Sequence, residues 1–534
     1  MTNPKMGTFA GKKRAVFDTF YPRTRGKTKC ICYFCLESNN TKTKIRMDRR
    51  SFIKSAGAAT AAGLVAPSAF SCKSSEPVAG EIVSRQETKV LIIGGGPAGV
   101  CAAIASARLG IPTLSVDEGG CLGGMATKGL VSPFMTCFDA TGEIQCIQGL
   151  FGEIVDRLVS LGGAIHPREV RHTSAFSAWI TAGHDHVTPF DAEILKFVLD
   201  RMCAEAGVKV LLHASFVRPI QKGGKAAGAV VLTRKGLWEI HADQVIDCTG
   251  DGSVAVGAGV PSEFGNAEIG KVQPSTLFFR INSVDSKKLE ADVLAHLHEF
   301  RKVDGVSYRA LHWHVLKAEA AGEWDIARKS VNIYRAVRED EWAVNCTRIA
   351  NVDATDSESL SAGEAEGRRQ VMELMHFFRK YVPGCENAAL MCSASTLGIR
   401  ESLHIKGDYV LTAEDLLSCK VPEDSILLAS NSVDVHGRNG AMGTEYKTIS
   451  GGRWYGVPFR SLLPEGIDNM LIAGRCLSAT SDAAGAVRVI PPCMAMGEAA
   501  GTAAALSAKA GTSPRSLDPR DLLAQLKKQN VFLG

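Results

Sequence analysis

The pattern of apolar and polar positions predicts a strand–helix–strand unit that begins near residue 88. Val90–Ile93 is a continuous, β-branched apolar run, which is typical of a parallel strand buried on both faces. The small residues of Ala102–Leu109 predict a helix that can lie close to a sheet, and Gly110 ends it. Thr113–Val116 predicts the second strand. This order indicates an α/β protein with a βαβ unit.

Four later segments extend this pattern. Gln244–Gly252 reads as an apolar strand that ends at Thr249-Gly250, and Met470–Ala473 reads as another strand followed by a turn. Pro492–Leu506 is rich in Ala and Gly and predicts a helix. The mixed apolar and charged segment Asp191–Ala206 predicts an amphipathic helix that packs on the sheet and does not face a membrane.

Composition agrees with a globular chain of two or three domains. The 534 residues are 45% hydrophobic and 22% charged, which is too apolar for a disordered chain. No apolar run reaches the roughly 18–20 residues that a membrane-spanning helix needs. We therefore expect no transmembrane segment.

The net charge of +5 is unevenly distributed. Residues 1–46 contain eleven Lys and Arg against two acidic residues, so their net charge is +9, which leaves −4 for the rest. An acidic body gives no electrostatic basis for binding nucleic acid. We expect no nucleic-acid partner.

Residues 47–72 have the features of a twin-arginine export signal. Arg49-Arg50 precede Ser51 and a weakly apolar stretch of small residues that runs to Phe70. This pattern predicts a periplasmic or cell-envelope protein that folds around a cofactor before export; the alternative is an amphipathic N-terminal helix. The sequence before Cys72 resembles a lipoprotein cleavage box, so either lipid attachment at Cys72 or ordinary cleavage is open. Residues 1–46 are interpreted as a mis-assigned start or a disordered extension, and 73–87 as a linker.

The first predicted turn contains a dinucleotide-binding motif. Gly94, Gly96 and Gly99 occupy the three glycine positions of GxGxxG between the predicted strand and helix. Gly94 permits a tight turn, Gly96 lets the backbone approach a pyrophosphate, and Gly99 allows close contact between helix and strand. Asp117, at the end of the second strand, stands where an acid accepts the ribose hydroxyls.

No segment predicts a metal centre. Cys30, Cys32 and Cys35 form a CxCxxC cluster without a second ligand set, and no closely spaced cysteines announce an iron–sulphur cluster. The pairs His184-x-His186 and His312-x-His314 lack a third ligand at recognisable spacing. We expect no metal, although a redox pair formed by Cys476 and Cys493 is conceivable beside the simpler interpretation of packed cysteines.

Several motifs in fixed order carry a resemblance to a known family. They are the Gly94 turn, VIDCTGDGSVAVGAGVP, VQPSTLFFR, LGIRESLHIKGDYVLTAEDL, VDVHG, VPFRSLLP and AGRCLSAT…RVIPPCMAMGEAAG. Over about residues 88–526 the chain resembles FAD-dependent oxidoreductases related to fumarate reductase and succinate dehydrogenase flavoproteins, in a subgroup catalogued near the flavoprotein subunit of heterodisulfide reductase. That grouping also implies a [4Fe–4S] cluster, which the absence of a cysteine ligand run makes unexpected here.

The resemblance implies the fold and the domain boundaries. The expected fold is α/β, with a discontinuous FAD-binding Rossmann-like domain of the glutathione-reductase type and an inserted α+β cap domain for the substrate. The expected ranges are 88–271 and 464–534 for the FAD-binding domain and 272–463 for the cap.

The resemblance also implies which residues hold FAD. Gly94, Gly96, Gly99 and Asp117 would hold the ADP half, and Val217 would meet the adenine through its backbone. The helix after Arg488 would direct its positive end at the flavin pyrimidine and stabilise negative charge on reduced flavin. The remaining predicted cofactor residues lie along the dinucleotide: Gly123, Gly124, Met125, Thr249, Gly250, Gly474, Arg475, Arg488 and Pro492.

Four residues of the cap are candidates for the reaction itself. Oxidation of a C–H bond needs a base for the departing proton, and His436 or His404 suits that role. Arg400 could neutralise a substrate carboxylate or oxyanion in a bidentate way. The alternative is structural: His436 satisfies a turn, and Arg400 with Glu401 forms an ion pair that locks the domains.

The leading functional hypothesis is therefore an exported flavoenzyme. It would transfer a hydride between a small organic substrate, either alcohol- or sugar-like or an organic acid, and flavin N5, with an unknown electron acceptor. The alternatives are a flavin-bearing subunit that passes electrons to a protein partner, which predicts no enclosed pocket beside the flavin, and a binding protein without turnover.

Overall fold

The computed structural model describes residues 80–171, 173–181, 183–437 and 442–534. The predicted export signal, Cys72 and the CxCxxC cluster lie outside the described residues. Within the described ranges, no helix combines the length and apolar character that crossing a membrane requires.

Strands and helices are numbered in chain order. The strands are β1 (Ile82–Ile93), β2 (Thr113–Val116), β3 (Lys209–Leu211), β4 (Ser215–Lys222), β5 (Lys225–Thr233), β6 (Gly236–Asp247), β7 (Ser262–Phe264), β8 (Phe279–Asn282), β9 (Arg301–Val303), β10 (Val306–Tyr308), β11 (Asn332–Arg335), β12 (Trp342–Asn345), β13 (Ala389–Ser393), β14 (Leu403–Ile405), β15 (Ser425–Ala429), β16 (Val433–His436), β17 (Thr444–Lys447), β18 (Tyr455–Pro458) and β19 (Met470–Ile472). The α-helices are α1 (Pro97–Arg108), α2 (Gly149–Ser160), α3 (Ala192–Ala206), α4 (Ser253–Gly257), α5 (Ser286–Ala295), α6 (His312–Ala320), α7 (Ser357–Tyr381), α8 (Ala413–Leu417), α9 (Ser481–Val487), α10 (Ile490–Ala510) and α11 (Pro519–Lys528).

The main sheet has seven strands in the order β3-β2-β1-β6-β5-β4, with β19 also paired to β6. The strands β3, β2, β1, β6 and β19 are parallel, whereas β4, β5 and β6 form an antiparallel meander. Because β6 is 12 residues long, its first part pairs with β5 and Val245–Asp247 pairs with β19. Residues 82–247 and residues 470–472 therefore share one sheet.

Helices α1 and α10 pack against each other over this sheet, and two glycines permit their contact. A Cβ on Gly497 would lie 2.0 Å from the Ala98 carbonyl oxygen, and one on Gly501 would lie 2.1 Å from that of Ala102. A side chain at either position would hold the helices apart. The small residues in both helices thus place the N-termini of α1 and α10 near the same edge of the sheet.

A second sheet, β11-β12-β8-β13, is antiparallel and belongs to the inserted segment. Buried aromatic residues fill the space beneath it, among them Phe279, Trp342 and Phe378. The short hairpin β16–β17 lies beside α9, and a Cβ on Gly485 of α9 would be 2.8 Å from the Asp434 carbonyl oxygen. This contact fixes the strand that carries Asp434 and His436.

The predicted α/β fold class, with a Rossmann-like core and an additional domain, is confirmed. Thr113–Val116 coincides with β2, and Val90–Ile93 forms the buried end of the longer β1. Helix α1 begins at Pro97, earlier than the predicted Ala102, because proline is well suited to the first helical position.

Candidate functional site

One cavity of about 1050 Å³ connects the main sheet to the cap. Its nucleotide end lies at the carboxyl ends of β1, β2 and β6, which is where ligands bind in open α/β sheets. Its other end, here called the cap end, is lined by residues of the second sheet and of β16–β17, including Arg400, Asp434 and His436.

The three glycines of the first turn have distinct roles. Gly94 has φ +100°, and a Cβ there would lie 2.3 Å from the Cys248 carbonyl oxygen. A Cβ on Gly99 would lie 1.8 Å from the Gly94 carbonyl oxygen, so Gly99 lets α1 start directly behind the turn. Gly96 lines the cavity and has no atom within 4 Å of an added Cβ. The space beside Gly96 is therefore the place where a ligand can approach the backbone.

Gly96 is also the N-cap of α1, and no side chain caps the helix. The first N–H groups of the 12-residue helix consequently keep their hydrogen-bonding capacity for a ligand. Their positive dipole end favours an anion. This arrangement suits a diphosphate.

Asp117 stands at the end of β2 and lines the same cavity. Its Oδ2 accepts a hydrogen bond from the Gly95 N–H at 2.8 Å, and its Oδ1 accepts one from the Gly119 N–H at 2.7 Å. Lys128 Nζ is also 2.7 Å from Oδ1. The carboxylate is thus held at the nucleotide end, and Lys128 is a cavity residue that the sequence analysis missed.

The Gly-rich segment after Asp117 folds back onto the first turn. The Gly123 N–H donates to the Gly95 carbonyl oxygen at 2.8 Å, and Gly123 has φ +95°. A Cβ on Gly124 would be 2.8 Å from the Gly96 Cα. Gly124 and Met125 line the cavity, whereas Gly123 supports the turn from outside the lining.

Thr249 and Gly250 line the cavity after β6, and Asp247 orders their turn. The buried Asp247 carboxylate accepts hydrogen bonds from the backbone N–H and the hydroxyl of Thr249, at 3.0 and 2.7 Å. It also accepts from the first N–H groups of α4. The sequence analysis did not single out Asp247, although the position directly after a buried strand is a signal for such a residue.

Gly474 and Arg475 complete the wall opposite Gly250. Arg475 Nη2 pairs with Asp251 Oδ1 at 2.6 Å, while the buried Nη1 has no partner in the described residues. A Cβ on Gly250 would be 2.9 Å from Arg475 Nη2. An unsatisfied guanidinium nitrogen at this wall is suited to an anionic ligand oxygen.

Val217 lies on β4 with 47% of its surface exposed, and it is not among the cavity residues. Its neighbours Ala214, Ser215 and Phe216 line the cavity instead. The contact of the Val217 backbone with adenine stays a prediction, and the lining positions are one to three residues earlier.

His436 and Asp434 form a pair at the cap end. His436 Nε2 is 3.2 Å from Asp434 Oδ2, and Nδ1 is 3.3 Å from the Thr444 hydroxyl. The carboxylate therefore holds the ring proton on Nε2, which leaves Nδ1 as the acceptor. Asp434, inside the quoted VDVHG motif, was not named as a site residue because its side-chain direction does not follow from the motif.

Arg400 lines the cap end of the cavity. Its Nη1 donates to the Pro274 carbonyl oxygen and to Thr276 Oγ1, each at 2.6 Å. Neutral oxygen atoms thus position a cation whose charge remains available to a ligand.

The pKa shifts follow from burial and from the neighbouring charges. Burial lowers the pKa of His436 to about 3; Asp434 opposes this effect and Arg400 adds to it. Burial would raise the pKa of Asp434, but His436, Arg488 and Arg400 outweigh it and hold that pKa well below its usual value. Burial, and then Arg488 and Arg328, lower the pKa of Arg400. At neutral pH the pair is therefore an imidazole beside a carboxylate.

Glu401 and His404 lie behind the cavity wall, with 1% and 5% of their surfaces exposed. Glu401 accepts a hydrogen bond from the Gln273 N–H at 2.9 Å and also contacts Ser481 and His404. Gln273 Oε1 in turn accepts from the His436 N–H at 3.0 Å. We therefore assign Glu401 a positioning role through Gln273, and we do not expect Glu401 or His404 to contact a substrate.

Arg488 lines the cavity just before α10, and its Nη2 donates to Gln273 Oε1 and to the Asp434 carbonyl oxygen, each at 3.2 Å. Pro492 is buried outside the lining, whereas Cys493 faces the cavity. Burial raises the pKa of Cys493 to about 12, and Cys476 and Cys493 are both free thiols. Neither observation supports a redox-active pair.

No group of three or more His, Cys, Asp or Glu residues is arranged to hold a metal ion in the part of the chain that the structure describes. Asp292 Oδ2 instead binds His314 Nε2 at 2.9 Å and Trp313 Nε1 at 3.1 Å. His186 is buried and stacks on Phe138 with ring centroids 4.1 Å apart. These histidines are packed structural residues.

The nucleotide end fits FAD by three independent features. Open space lies beside Gly96, an uncapped helix end points into that space, and Arg475 Nη1 lacks a partner. The cavity continues from there to Arg488 and His436, which provides room for an extended dinucleotide with a ring system at its far end. When bound, FAD would lie with its diphosphate between α1 and Arg475.

Several solved structures show low similarity to this chain. The p-nitrophenol 4-monooxygenase PnpA from Pseudomonas putida is 13% identical, with a TM-score of 0.42 and coverage of 84% of this chain and 90% of that one. L-proline dehydrogenase from P. horikoshii is 11% identical, with a TM-score of 0.38 and coverage of 83% and 99%. A geranylgeranyl bacteriochlorophyll reductase-like protein from Thermoplasma acidophilum is 14% identical, with a TM-score of 0.38 and coverage of 84% and 85%.

The sequence itself matches a family model over residues 89–528, which include both ends of the cavity. This match shows that the chain belongs to the FAD dependent oxidoreductase family, and the protein is an FAD-dependent oxidoreductase.

Proposed function

We propose that this protein transfers a hydride between a small organic substrate held at the cap end and FAD. One observation carries the proposal: a single cavity joins the nucleotide end to Arg400 and to the Asp434–His436 pair. Bound FAD supplies the acceptor of the hydride, or its donor in the opposite direction. The resemblance to fumarate reductase flavoproteins supports a reaction of this type.

His436 is the proposed proton acceptor. When an alcohol is oxidised to a carbonyl, the C–H bond breaks with loss of a hydride and the O–H bond breaks with loss of a proton. The Nδ1 atom of His436 can take that proton, because Asp434 keeps the other ring proton on Nε2. The adjacent carboxylate offsets part of the destabilisation that burial imposes on the resulting imidazolium.

Arg400 is the proposed binding residue for a negatively charged substrate oxygen. Its Nη1 is fixed by Pro274 and Thr276, while Nη2 makes a longer contact of 3.5 Å with Asn345 Oδ1. A fixed guanidinium can orient a carboxylate or an oxyanion without paying further side-chain entropy. We therefore place the reacting carbon between Arg400 and His436.

The polar lining of the cap end favours this proposal over an electron-transfer subunit. A subunit that only passes electrons to a protein partner needs an exposed docking surface and no space for a substrate. Here the cap end contains buried polar side chains that converge on one space, among them His184, Tyr334 and Asn431. Such a lining is typical of a small-molecule site.

An anaerobic screen tests the proposal. Oxidised holoprotein is mixed with alcohols, sugars and hydroxy acids, and reduced holoprotein with enoates, while the flavin absorbance near about 450 nm is followed. We expect one class to change the absorbance, and His436→Gln to slow the change at least about a hundredfold without loss of FAD. His376→Gln, at an exposed histidine of α7, is the matched control. Failure of every class, or full activity of His436→Gln, would contradict the proposal.

We also propose that the protein is exported. The paired Arg49-Arg50 and the small-residue segment after them support this, as does the cofactor requirement. Replacement of Arg49 and Arg50 by Lys should retain the protein in the cytoplasm, as measured by cell fractionation. Cys72→Ser should abolish labelling by a radioactive fatty acid if Cys72 carries lipid, and leave secretion intact if cleavage is ordinary. An unchanged distribution of the double Lys variant would refute export by this route.

A further inference from the structure

The cap end of the cavity carries an excess of positive charge. Lys302, Arg309, Arg328 and Arg400 line it, and we call them the cap cations. Arg488 also lines the cavity, and it donates to the Asp434 carbonyl oxygen. Among the described residues that line this end, Asp434 supplies the one carboxylate, and that carboxylate is already paired with His436. The cations at the nucleotide end have their own partners, since Lys128 pairs with Asp117 and Arg475 with Asp251.

Two of the cap cations meet at one residue. Arg328 Nη1 donates to the Asn345 carbonyl oxygen at 3.0 Å, and Arg400 Nη2 is 3.5 Å from the Asn345 side-chain oxygen. Both guanidinium groups therefore lie around the end of β12. Their partners here are neutral, so these contacts orient the two cations without neutralising them.

Arg309 and Tyr334 line the same end of the cavity as Arg328 and Arg400. Burial raises the pKa of Tyr334 to about 12, and the charges of Arg328, Arg309 and Arg400 all oppose that shift. Tyr334 is 4% exposed and lines the cavity. Its hydroxyl thus belongs to this end of the cavity and can donate a hydrogen bond to a ligand held there.

Like charges that line one cavity repel one another, and no ion pair among the described residues relieves Arg309, Arg328 or Arg400. A ligand with several anionic oxygens would remove this repulsion and satisfy the free N–H groups. We infer that the substrate is a small organic anion with at least two negative charges, bound by Arg309, Arg328 and Arg400. The inference rests on the proposed function, which places the substrate at the cap end.

Size restricts the substrate further. The cavity of about 1050 Å³ must also hold the dinucleotide, so the cap end has room for a small molecule only. Lys302 is exposed at the β9–β10 hairpin, where it can attract the anion to the mouth. Di- and tricarboxylates and small phosphate esters share the required chemistry.

Calorimetric titration of oxidised holoprotein at constant ionic strength tests the inference without turnover. The probes are citrate, malonate, glycerol 3-phosphate, acetate and glycerol. We expect malonate, citrate or glycerol 3-phosphate to bind at least about tenfold more tightly than acetate, and glycerol not to bind. The probe that binds more tightly, carboxylate or phosphate, identifies which anionic group the site prefers.

Arg328→Gln and Arg309→Gln should each weaken binding of the preferred probe by about tenfold to a hundredfold, because each loses a charged hydrogen-bond donor. Arg368→Gln, at an exposed arginine of α7, is the matched control and should bind normally. FAD content and the melting temperature are measured on each variant, so that a misfolded protein is not counted. Arg309→Lys and Arg328→Lys should retain part of the affinity that the Gln variants lose, because Lys keeps the positive charge.

The outcomes separate this inference from the proposed function. Equal affinity for acetate and the multivalent anions, or unaltered binding in both arginine variants, would overturn the inference. Reduction of the flavin by a neutral alcohol, without competition from any anion, would overturn the inference and leave the proposed hydride transfer standing. Tight anion binding by a protein whose flavin no substrate reduces or reoxidises would overturn the proposed hydride transfer and leave the anion-binding site standing.

Discussion

Individual glycines of one turn tolerate an added methyl group to different degrees. At Gly96 the methyl group would enter the cavity, whereas at Gly99 it would meet the Gly94 carbonyl oxygen at 1.8 Å. The GxGxxG spacing identified both positions but could not distinguish a residue that contacts ligand from one that permits chain packing. That distinction depends on the neighbouring atoms.

Gly96→Ala should therefore fold normally and bind FAD at least about tenfold more weakly, since the methyl group occupies space needed by the diphosphate. Gly99→Ala should instead lower the melting temperature of the apoprotein. Flavin fluorescence titration and thermal unfolding of the two apoproteins measure these effects. Equal FAD affinity in Gly96→Ala and wild type would show that the diphosphate lies elsewhere.

His436 allows a prediction of pH dependence. Because its pKa is lowered to about 3, the imidazole is already neutral at about pH 5 and remains so at about pH 8. If His436 accepts the proton, kcat/KM should not fall when the pH is lowered through 6.5, which is the ordinary pKa of histidine. An inflection near that value, lost in His436→Gln, would contradict this electrostatic assignment.

At the scale of elements, the contact between α1 and α10 determines the geometry of the site. It brings the end of β1 and the start of α10 to one side of the cavity, although they are separated by almost 400 positions in sequence. The Ala- and Gly-rich composition predicted a helix near the sheet. It could not show which glycines are at the contact, because that depends on the register between the two helices.

Gly497→Ala should be strongly destabilising, because its Cβ would lie 2.0 Å from the Ala98 carbonyl oxygen and the helices would have to separate. We expect a loss of about 2–3 kcal/mol in the free energy of unfolding. Gly152→Ala in α2 is the control, since its nearest neighbour is at 4.0 Å and it should be neutral or slightly stabilising. Comparable stabilities of the two variants in urea unfolding would refute the close packing.

Glu498 links α10 to α2 and makes stability depend on pH. It is 2% exposed, accepts the Leu150 N–H at 2.8 Å, and burial raises its pKa from 4.5 to about 7. Since the folded state binds more protons than the unfolded state between these values, this residue's contribution to stability falls as the pH rises from 4.5 to about 7.

Glu498→Gln should remove the loss of stability that the wild-type protein shows as the pH rises from 4.5 to about 7. Relative to wild type, the variant should gain up to about 3 kcal/mol of unfolding free energy between about pH 4.5 and about pH 8, because each pKa unit corresponds to about 1.4 kcal/mol. Urea unfolding at both pH values measures the difference. A constant difference between variant and wild type would indicate that Glu498 titrates normally.

At the scale of the whole molecule, the predicted fold class is confirmed. Most of the predicted cofactor residues line the cavity, whereas Glu401 and His404 of the predicted catalytic residues lie behind its wall. The nucleotide end is built from contiguous motifs whose glycines have local conformational requirements. The cap end is assembled from distant segments, so Arg309 and Arg328 carried no local signal, and neighbours such as Arg400 and Glu401 face different directions. Side-chain direction at that end follows from tertiary packing, which spacing alone does not encode.

The cavity is lined by residues of the main sheet and of the cap, so bound FAD should stabilise both. With free FAD at one hundred times its dissociation constant, the gain is about 2.7 kcal/mol. We expect one cooperative thermal transition that moves upward by several degrees on addition of FAD. An unchanged melting temperature in the presence of excess FAD would be inconsistent with the cavity as its binding site.

The most direct test of the account is an experimental structure of the holoprotein. We predict continuous density for one dinucleotide, with the ribose at Asp117, the diphosphate between Gly96 and Arg475, and the isoalloxazine ring beside Arg400 and His436. A dinucleotide bound in another crevice, or a flavin ring directed into solvent away from the cap, would contradict it.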